Sequence, residues 1–155
     1  MNDVTARLVW QSGLRFVGVN ASGVETVIDG DHQAGASPVE LLLEAVGACS
    51  GVDVVMILQK MHEPLTRLEV SLDGDRHSPE PRYLTAVRVR FDAWGDGLKP
   101  EKVARAINLS FAKYCSVYHS LRRDLKLQPE FRLHGSAAEA AGEYQLVKME
   151  PQMST

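Results

Sequence analysis

Cysteine is scarce in this chain: of 155 residues, only Cys49 and Cys115 carry a thiol. They form no Cys-x-x-Cys motif, and none of the five histidines pairs with either at metal-ligand spacing. Zinc sites are read from such spacings, so no metal is expected. A Gly-rich phosphate loop and a Gly-x-Ser-x-Gly nucleophile elbow are also lacking, and no cofactor is expected. There is no basic excess either. The 17 Lys and Arg face 20 Asp and Glu, a net charge of −3, so a nucleic-acid partner is not expected. The opening Met1-Asn2-Asp3-Val4-Thr5 lacks the basic and apolar regions of a secretory signal. The longest nearly uncharged run, Leu41 to Leu58, contains Glu44 and Asp53, which argues against a membrane span. A cytoplasmic location is the resulting expectation. In that reducing compartment a permanent structural disulfide is disfavoured, and paired cysteines are more often catalytic or redox-sensing.

What is present is an ordinary globular composition, 45% apolar and 24% charged. A chain of this length buries enough surface to fold without a disulfide or metal staple. We expect one domain over residues 1–155, with a core from about 6 to 134 and a peripheral extension over 135–155. The first thirty residues read as three short strands with Gly-bearing turns at Gln11-Ser12-Gly13, Asn20-Ala21-Ser22-Gly23 and Asp29-Gly30-Asp31, the pattern of an antiparallel meander. Ser37-Pro38-Val39-Glu40 then opens a helix, with Ser37 as N-cap, Pro38 at the first helical position and Glu40 closing a capping box. This helix is expected to reach about Met61. It is apolar nearly all round, as in a core or an oligomer interface, and spans roughly 36 Å at ~1.5 Å per residue. That length suits an intertwined dimer. Arg67–Asp73 and Tyr83–Trp94 alternate as half-buried strands. A second long helix is expected from Leu98 to about Leu125, with Val103, Ile107, Phe111, Tyr114, Tyr118, Leu121 and Leu125 as its buried stripe. Glu130–His134 reads as a last strand, and Ser136–Gly142 and the tail after Glu150 as peripheral. The fold class is α+β.

Each cysteine falls in an apolar helical stretch. Cys49 is flanked by small residues in Gly47-Ala48-Cys49-Ser50-Gly51. Two glycines inside a helix cost roughly 1 kcal/mol each relative to alanine, so a close approach of another helix or a ligand is expected there. Cys115 lies in Lys113-Tyr114-Cys115-Ser116-Val117. Two readings stand open: inert core thiols, or the halves of one redox pair. A reactive thiol needs a positive neighbour, because the thiolate is the nucleophile. Asp53, one turn after Cys49, opposes a thiolate if it shares that face. The cation must come from elsewhere, with Arg15, Arg88, Arg90 and Lys113 as candidates. Glu40 precedes Cys49 by about two and a half turns at ~3.6 residues per turn, which puts them on opposite sides of a straight helix. His119, four residues after Cys115, reads as a surface or satisfied core histidine.

The run from Ser37 to Val55 resembles the central helix of the OsmC/Ohr family, and Lys113-Tyr114-Cys115-Ser116-Val117 resembles that family's second cysteine motif. The order of elements over residues 6–134 agrees, and the likeness is nearest to the uncharacterised OsmC-like branch. The resemblance implies an OsmC-like fold: antiparallel sheets around two long core helices, in an intertwined homodimer with active sites at the subunit interface. It implies thiol-dependent reduction of hydrophobic organic hydroperoxides. Cys49 would be the peroxidatic thiolate and Cys115 the resolving thiol, with a dithiol such as a lipoylated protein as reductant. Family peroxidases often carry Glu directly after the helix-opening Pro. Here Val39 stands at that place and Glu40 comes next. Arg15 is the candidate for the family's activating arginine. The alternative is a non-enzymatic dimer of the same fold that binds a small apolar molecule at its interface.

Overall fold

A computed structural model of the protein describes residues 4–135 and 141–150. The expected peripheral character of residues 136–140 and 151–155 therefore falls outside the described residues. The architecture is α+β, and the chain divides into two compact units, residues 1–42 and 43–155.

In the first unit, β1 (Ala6–Ser12), β2 (Arg15–Asn20) and β3 (Glu25–Asp29) form a three-stranded antiparallel meander. Gly13 and Gly23 sit at φ +52° and +80° in its turns, a region glycine enters without the Cβ penalty. The long helix α1 (Pro38–Lys60) begins here and continues into the second unit. Its start is the expected capping box: the Ser37 amide donates to Glu40 Oε2 at 2.7 Å and the Glu40 amide donates to Ser37 Oγ at 3.4 Å.

The second unit is a four-stranded sheet, β4 (Arg67–Arg76), β5 (Leu84–Trp94), β6 (Lys126–His134) and β7 (Gln145–Leu146), in that order. β4 pairs antiparallel with β5, but β5 and β6 run parallel. That parallel pair is possible because a helical crossover separates them, as parallel strands require. Along β5 the alternation is as expected: Val87, Val89, Phe91 and Ala93 are fully buried. Asp92, on the opposite side, is nonetheless buried. It accepts from Arg132 Nε at 2.8 Å and Tyr144 Oη at 2.8 Å, and lies 2.7 Å from His134 Nε2. Tyr144 and the buried Val147 thus pack onto this sheet from the chain beyond β6.

α1 is the one helix among the described residues long and apolar enough to cross a membrane by length and composition. Its face formed by Val46, Ser50, Val54 and Leu58 is buried. The close approach at its glycines is made by β4. A Cβ on Gly47 would stand 2.5 Å from Leu72 Cδ1, and one on Gly51 would stand 3.7 Å from Val70 Cγ2.

The second helix departs from expectation. α2 covers only Pro100–Leu109, a single π turn comes next at Ser110–Tyr114, Cys115 is extended at φ −68° and ψ 94°, and α3 is the short Ser116–His119. One wider turn rotates the residues at its end and beyond out of the α-helical phase. Hence Tyr114, expected on the buried stripe, is 48% exposed, while Cys115 is completely buried. Val103, Ile107, Phe111 and Leu125 are buried as expected.

Candidate active site

Cys49 sits mid-way along α1, in regular helix, and is half-buried. Cys115 sits where the second helical segment breaks. Its amide donates to the Ser110 carbonyl at 2.7 Å, the i→i−5 bond that closes the π turn. π turns within helices recur at functional sites. The break turns the Cys115 side chain toward the next helical turn, where the Tyr118 amide donates to its sulfur at 3.5 Å. Phe111 and Tyr118, in edge contact at a centroid distance of 5.5 Å, flank the break.

These two elements bring the thiols together. The Cys49 sulfur, the Cys115 sulfur and a carboxylate oxygen of Asp53 all lie within 4.8 Å of one another. Asp53 therefore does share the face of Cys49, one turn on. Ser110, itself fully buried, donates its hydroxyl to Asp53 Oδ2 at 2.8 Å. Burial pushes the Cys115 thiol up to about 12; the Tyr118 amide opposes that push, and Cys49 and Asp53 add smaller upward ones. Charged forms lose solvation when buried, so Cys115 is a neutral thiol near pH 7. Beside the cluster opens a cavity of about 290 Å³, lined by Asp53, Met56, Ile57, Lys60, Leu109 and Tyr114 among others.

Arg15 and Glu40 belong to the first unit and have partners there. Arg15 Nε lies 3.9 Å from Asp29 Oδ2. The Asp29 carboxyl is held below its ordinary range, first by the Ala34 and Asp31 amides and only lastly by Arg15. Glu40 is occupied by the capping box and by His32 Nδ1 at 2.9 Å. Its carboxyl is lowered chiefly by the Ser37 amide. His119 is exposed, in line with its surface reading. In the sequence Asp53 reads only as an obstacle to a thiolate, and Ser110 does not stand out. The i, i+4 spacing of Cys49 and Asp53 was the available signal, whereas Ser110 lies 57 residues away from its partner.

Comparison with known proteins identifies the family and the fold. The family model described as OsmC-like protein matches residues 30–130. Protein YhfA of Escherichia coli K12 is 40% identical over 129 residues, covering 83% of this chain and 96% of that protein. The crystal structure of a hypothetical protein from Aquifex aeolicus VF5 superposes with a TM-score of 0.80 at 26% identity, covering 88% of this chain and 99% of that one. The Organic Hydroperoxide Resistance Protein OhrB of Bacillus subtilis shares the fold with a TM-score of 0.59 at 17% identity, covering 82% and 97%. With its central helix, its broken second helix and its two adjoining thiols accounted for, the chain belongs to the OsmC-like protein family.

Proposed function

We propose that the protein is a thiol-dependent peroxidase that reduces apolar organic hydroperoxides, with Cys49 as the peroxidatic and Cys115 as the resolving thiol. The observation that carries this reading is the meeting of the two sulfurs within 4.8 Å from separate helical segments. The accessibility difference supports the division of roles: Cys49 is half-buried, and Cys115 is fully buried. A neutral Cys115 is a poor attacker of a peroxide, which leaves the first step to Cys49, and its nearness to the Cys49 sulfur suits it to the second. The Bacillus subtilis structural neighbour, an Organic Hydroperoxide Resistance Protein, carries the same substrate class in its name.

In the proposed cycle the Cys49 thiolate attacks the O–O bond of the hydroperoxide. An S–O bond forms, the O–O bond breaks, and the departing alkoxide takes a proton to leave as the alcohol. Cys49 is then a sulfenic acid. Cys115 attacks that sulfur, the S–S bond forms, and the hydroxyl leaves as water with the Cys115 proton. A dithiol reductant, such as a lipoylated protein, reduces the disulfide to two thiols and is itself oxidised. The cavity beside Asp53, with Met56, Ile57 and Leu109 in its walls, offers the peroxide's apolar chain a place. By the family resemblance, Arg15 is assigned as the cation that favours the thiolate, and Glu40 as the carboxylate of the helix start.

A cytoplasmic homodimer completes the proposal. Val52 and Met56 of α1 are 58% and 50% exposed. They border an apolar groove of about 620 Å³ between α1 and β4, the kind of surface a partner covers. The same groove favours a second reading, in which the fold binds a small apolar molecule and the thiols are inert. One equivalent of cumene hydroperoxide, followed by thiol counting and intact mass, separates the two. Rapid loss of two thiols with a Cys49–Cys115 disulfide, abolished by Cys49→Ser, is the expected outcome. Retention of both thiols at excess peroxide sinks the enzyme and leaves the second reading.

A further inference from the structure

We propose that Cys49, Asp53 and Cys115 form a binding site for one thiophilic divalent cation of the zinc and cadmium class, held by two sulfurs and one carboxylate oxygen in the reduced protein. The inference goes beyond the peroxidase reading and does not depend on it. Its ground is the convergence of three ligand atoms, all within 4.8 Å of one another, on partly or fully buried residues. A tetrahedral zinc site with Zn–S of about 2.3 Å and Zn–O of about 2.1 Å places its ligand atoms roughly 3.5–3.8 Å apart. Closing the observed cluster to that size asks for a movement of about 1 Å or less, within the reach of side-chain torsions.

The charge of the cluster points the same way. Two ionisable thiols and a carboxylate meet, yet among the described residues of 43–155 no Lys or Arg forms an ion pair with Asp53. Lys60 shares a cavity with Asp53 without pairing to it. A bound dication supplies the missing positive charge, which a coordinated thiolate requires. The carboxylate is already oriented. The buried Ser110 hydroxyl holds Oδ2 at 2.8 Å, the outer support that metal-ligating carboxylates commonly have. Soft sulfur donors select thiophilic ions over magnesium or calcium. Three protein ligands leave a fourth position open, and the cavity lined by Asp53, Met56 and Tyr114 adjoins the cluster at its carboxylate.

Spacing rules applied to the sequence pass over this site, because its ligands come from one helical turn of α1 and from a break far along the chain. Binding takes both sulfurs as thiolates, so any thiol proton is released to solvent, and it changes no oxidation state. Where the peroxidase reading also holds, an occupied site keeps both sulfurs coordinated and blocks attack on the peroxide.

The test titrates the reduced, chelator-treated, full-length protein with cadmium ion under inert gas, reading the sulfur-to-cadmium charge-transfer absorption and the release of protons. Saturation at one ion per chain, with proton release on binding, is expected. The Cys49→Ser and Cys115→Ser variants each lose one Cd–S contribution. Asp53→Asn weakens binding at least roughly tenfold, the scale set by loss of a supporting group. Asp53→Cys, which adds a third sulfur, raises the absorption by one further Cd–S contribution and keeps the inference testable if Asp53→Asn does not fold. No absorption at excess cadmium overturns the site, as does wild-type affinity in Asp53→Asn. Peroxide-driven disulfide formation in chelator, measured in parallel, reports on the peroxidase reading alone.

Discussion

The two segments that deliver the thiols differ in almost every physical respect. α1 carries Cys49 in unbroken helix, buries the face of Val46, Ser50, Val54 and Leu58, and meets Leu72 and Val70 of β4 at its glycines. The second segment carries Cys115 at a defect: a π turn, one extended residue and a single turn of helix. The first keeps its thiol half-exposed, and the second buries it completely. A regular helix presents a side chain at a fixed angle, so close approach must be arranged by shaving the helix to glycine. A broken helix re-aims one side chain, and the cost is met by packing around the break. The pair is thus asymmetric before any chemistry begins.

The largest expected effect on this comparison is chemical. Burial places the Cys115 thiol at about 12, against an ordinary 9.0. Because the thiolate reacts, its reactive fraction near neutrality is about a thousandfold below that of an ordinary thiol. Iodoacetamide at neutral pH is expected to modify Cys49 and spare Cys115, as followed by peptide mass spectrometry. Alkylation of Cys115 should then rise about tenfold per pH unit until about pH 12. Equal labelling of the two at neutral pH breaks the asymmetry. A Cys115 rate that is flat with pH shows instead that access alone protects it.

The next effect is on stability. Phe111 is fully buried within the π turn, in edge contact with Phe91 at 6.3 Å and Tyr118 at 5.5 Å. Phe111→Ala is expected to cost about 3–5 kcal/mol, the usual range for a buried aromatic, measured by urea unfolding. Cys115 should gain reactivity to iodoacetamide in the same variant. A loss below about 1 kcal/mol means that packing at Phe111 does not hold the break.

How far each segment is legible in the sequence depends on where its causes lie. The start of α1 is legible, because Ser37, Pro38 and Glu40 act on each other across three residues and the capping bonds form as expected. Strand alternation in β5 is legible for the same local reason. The π turn is not. Ser110–Tyr114 contains no Gly or Pro to announce a break, and Tyr114 fits a buried stripe that only an unbroken helix has. What selects the break is tertiary: Phe111 against β5, and Ser110 bonded across to Asp53. Asp92 reads as outward-facing on alternation alone, and the partners that bury it, Arg132, His134 and Tyr144, come from at least 40 residues later. The cysteine pair is reached by resemblance, whereas its third member, Asp53, needs the fold.

The smallest effect sharpens the account of α1. Replacing either helical glycine by alanine gains up to about 1 kcal/mol of helix propensity. At Gly51 the new methyl meets Val70 Cγ2 at 3.7 Å, an ordinary contact, so Gly51→Ala is expected to stabilise by most of that amount. At Gly47 the methyl stands 2.5 Å from Leu72 Cδ1, so Leu72 must turn away and the gain is reduced or reversed. Overpacked cores typically lose about 1–3 kcal/mol, and the far end of a leucine yields more easily than backbone. Gly47→Ala is therefore expected near neutral or slightly destabilised. The difference between the two variants, read from urea midpoints at constant slope, isolates the Leu72 contact because propensity cancels. Gly47→Ala combined with Leu72→Ala removes the clash, and the penalty assigned to Gly47→Ala should disappear in that background. If the penalty persists there, the close approach at Gly47 is not the leucine, and β4 does not dictate the small residues around Cys49.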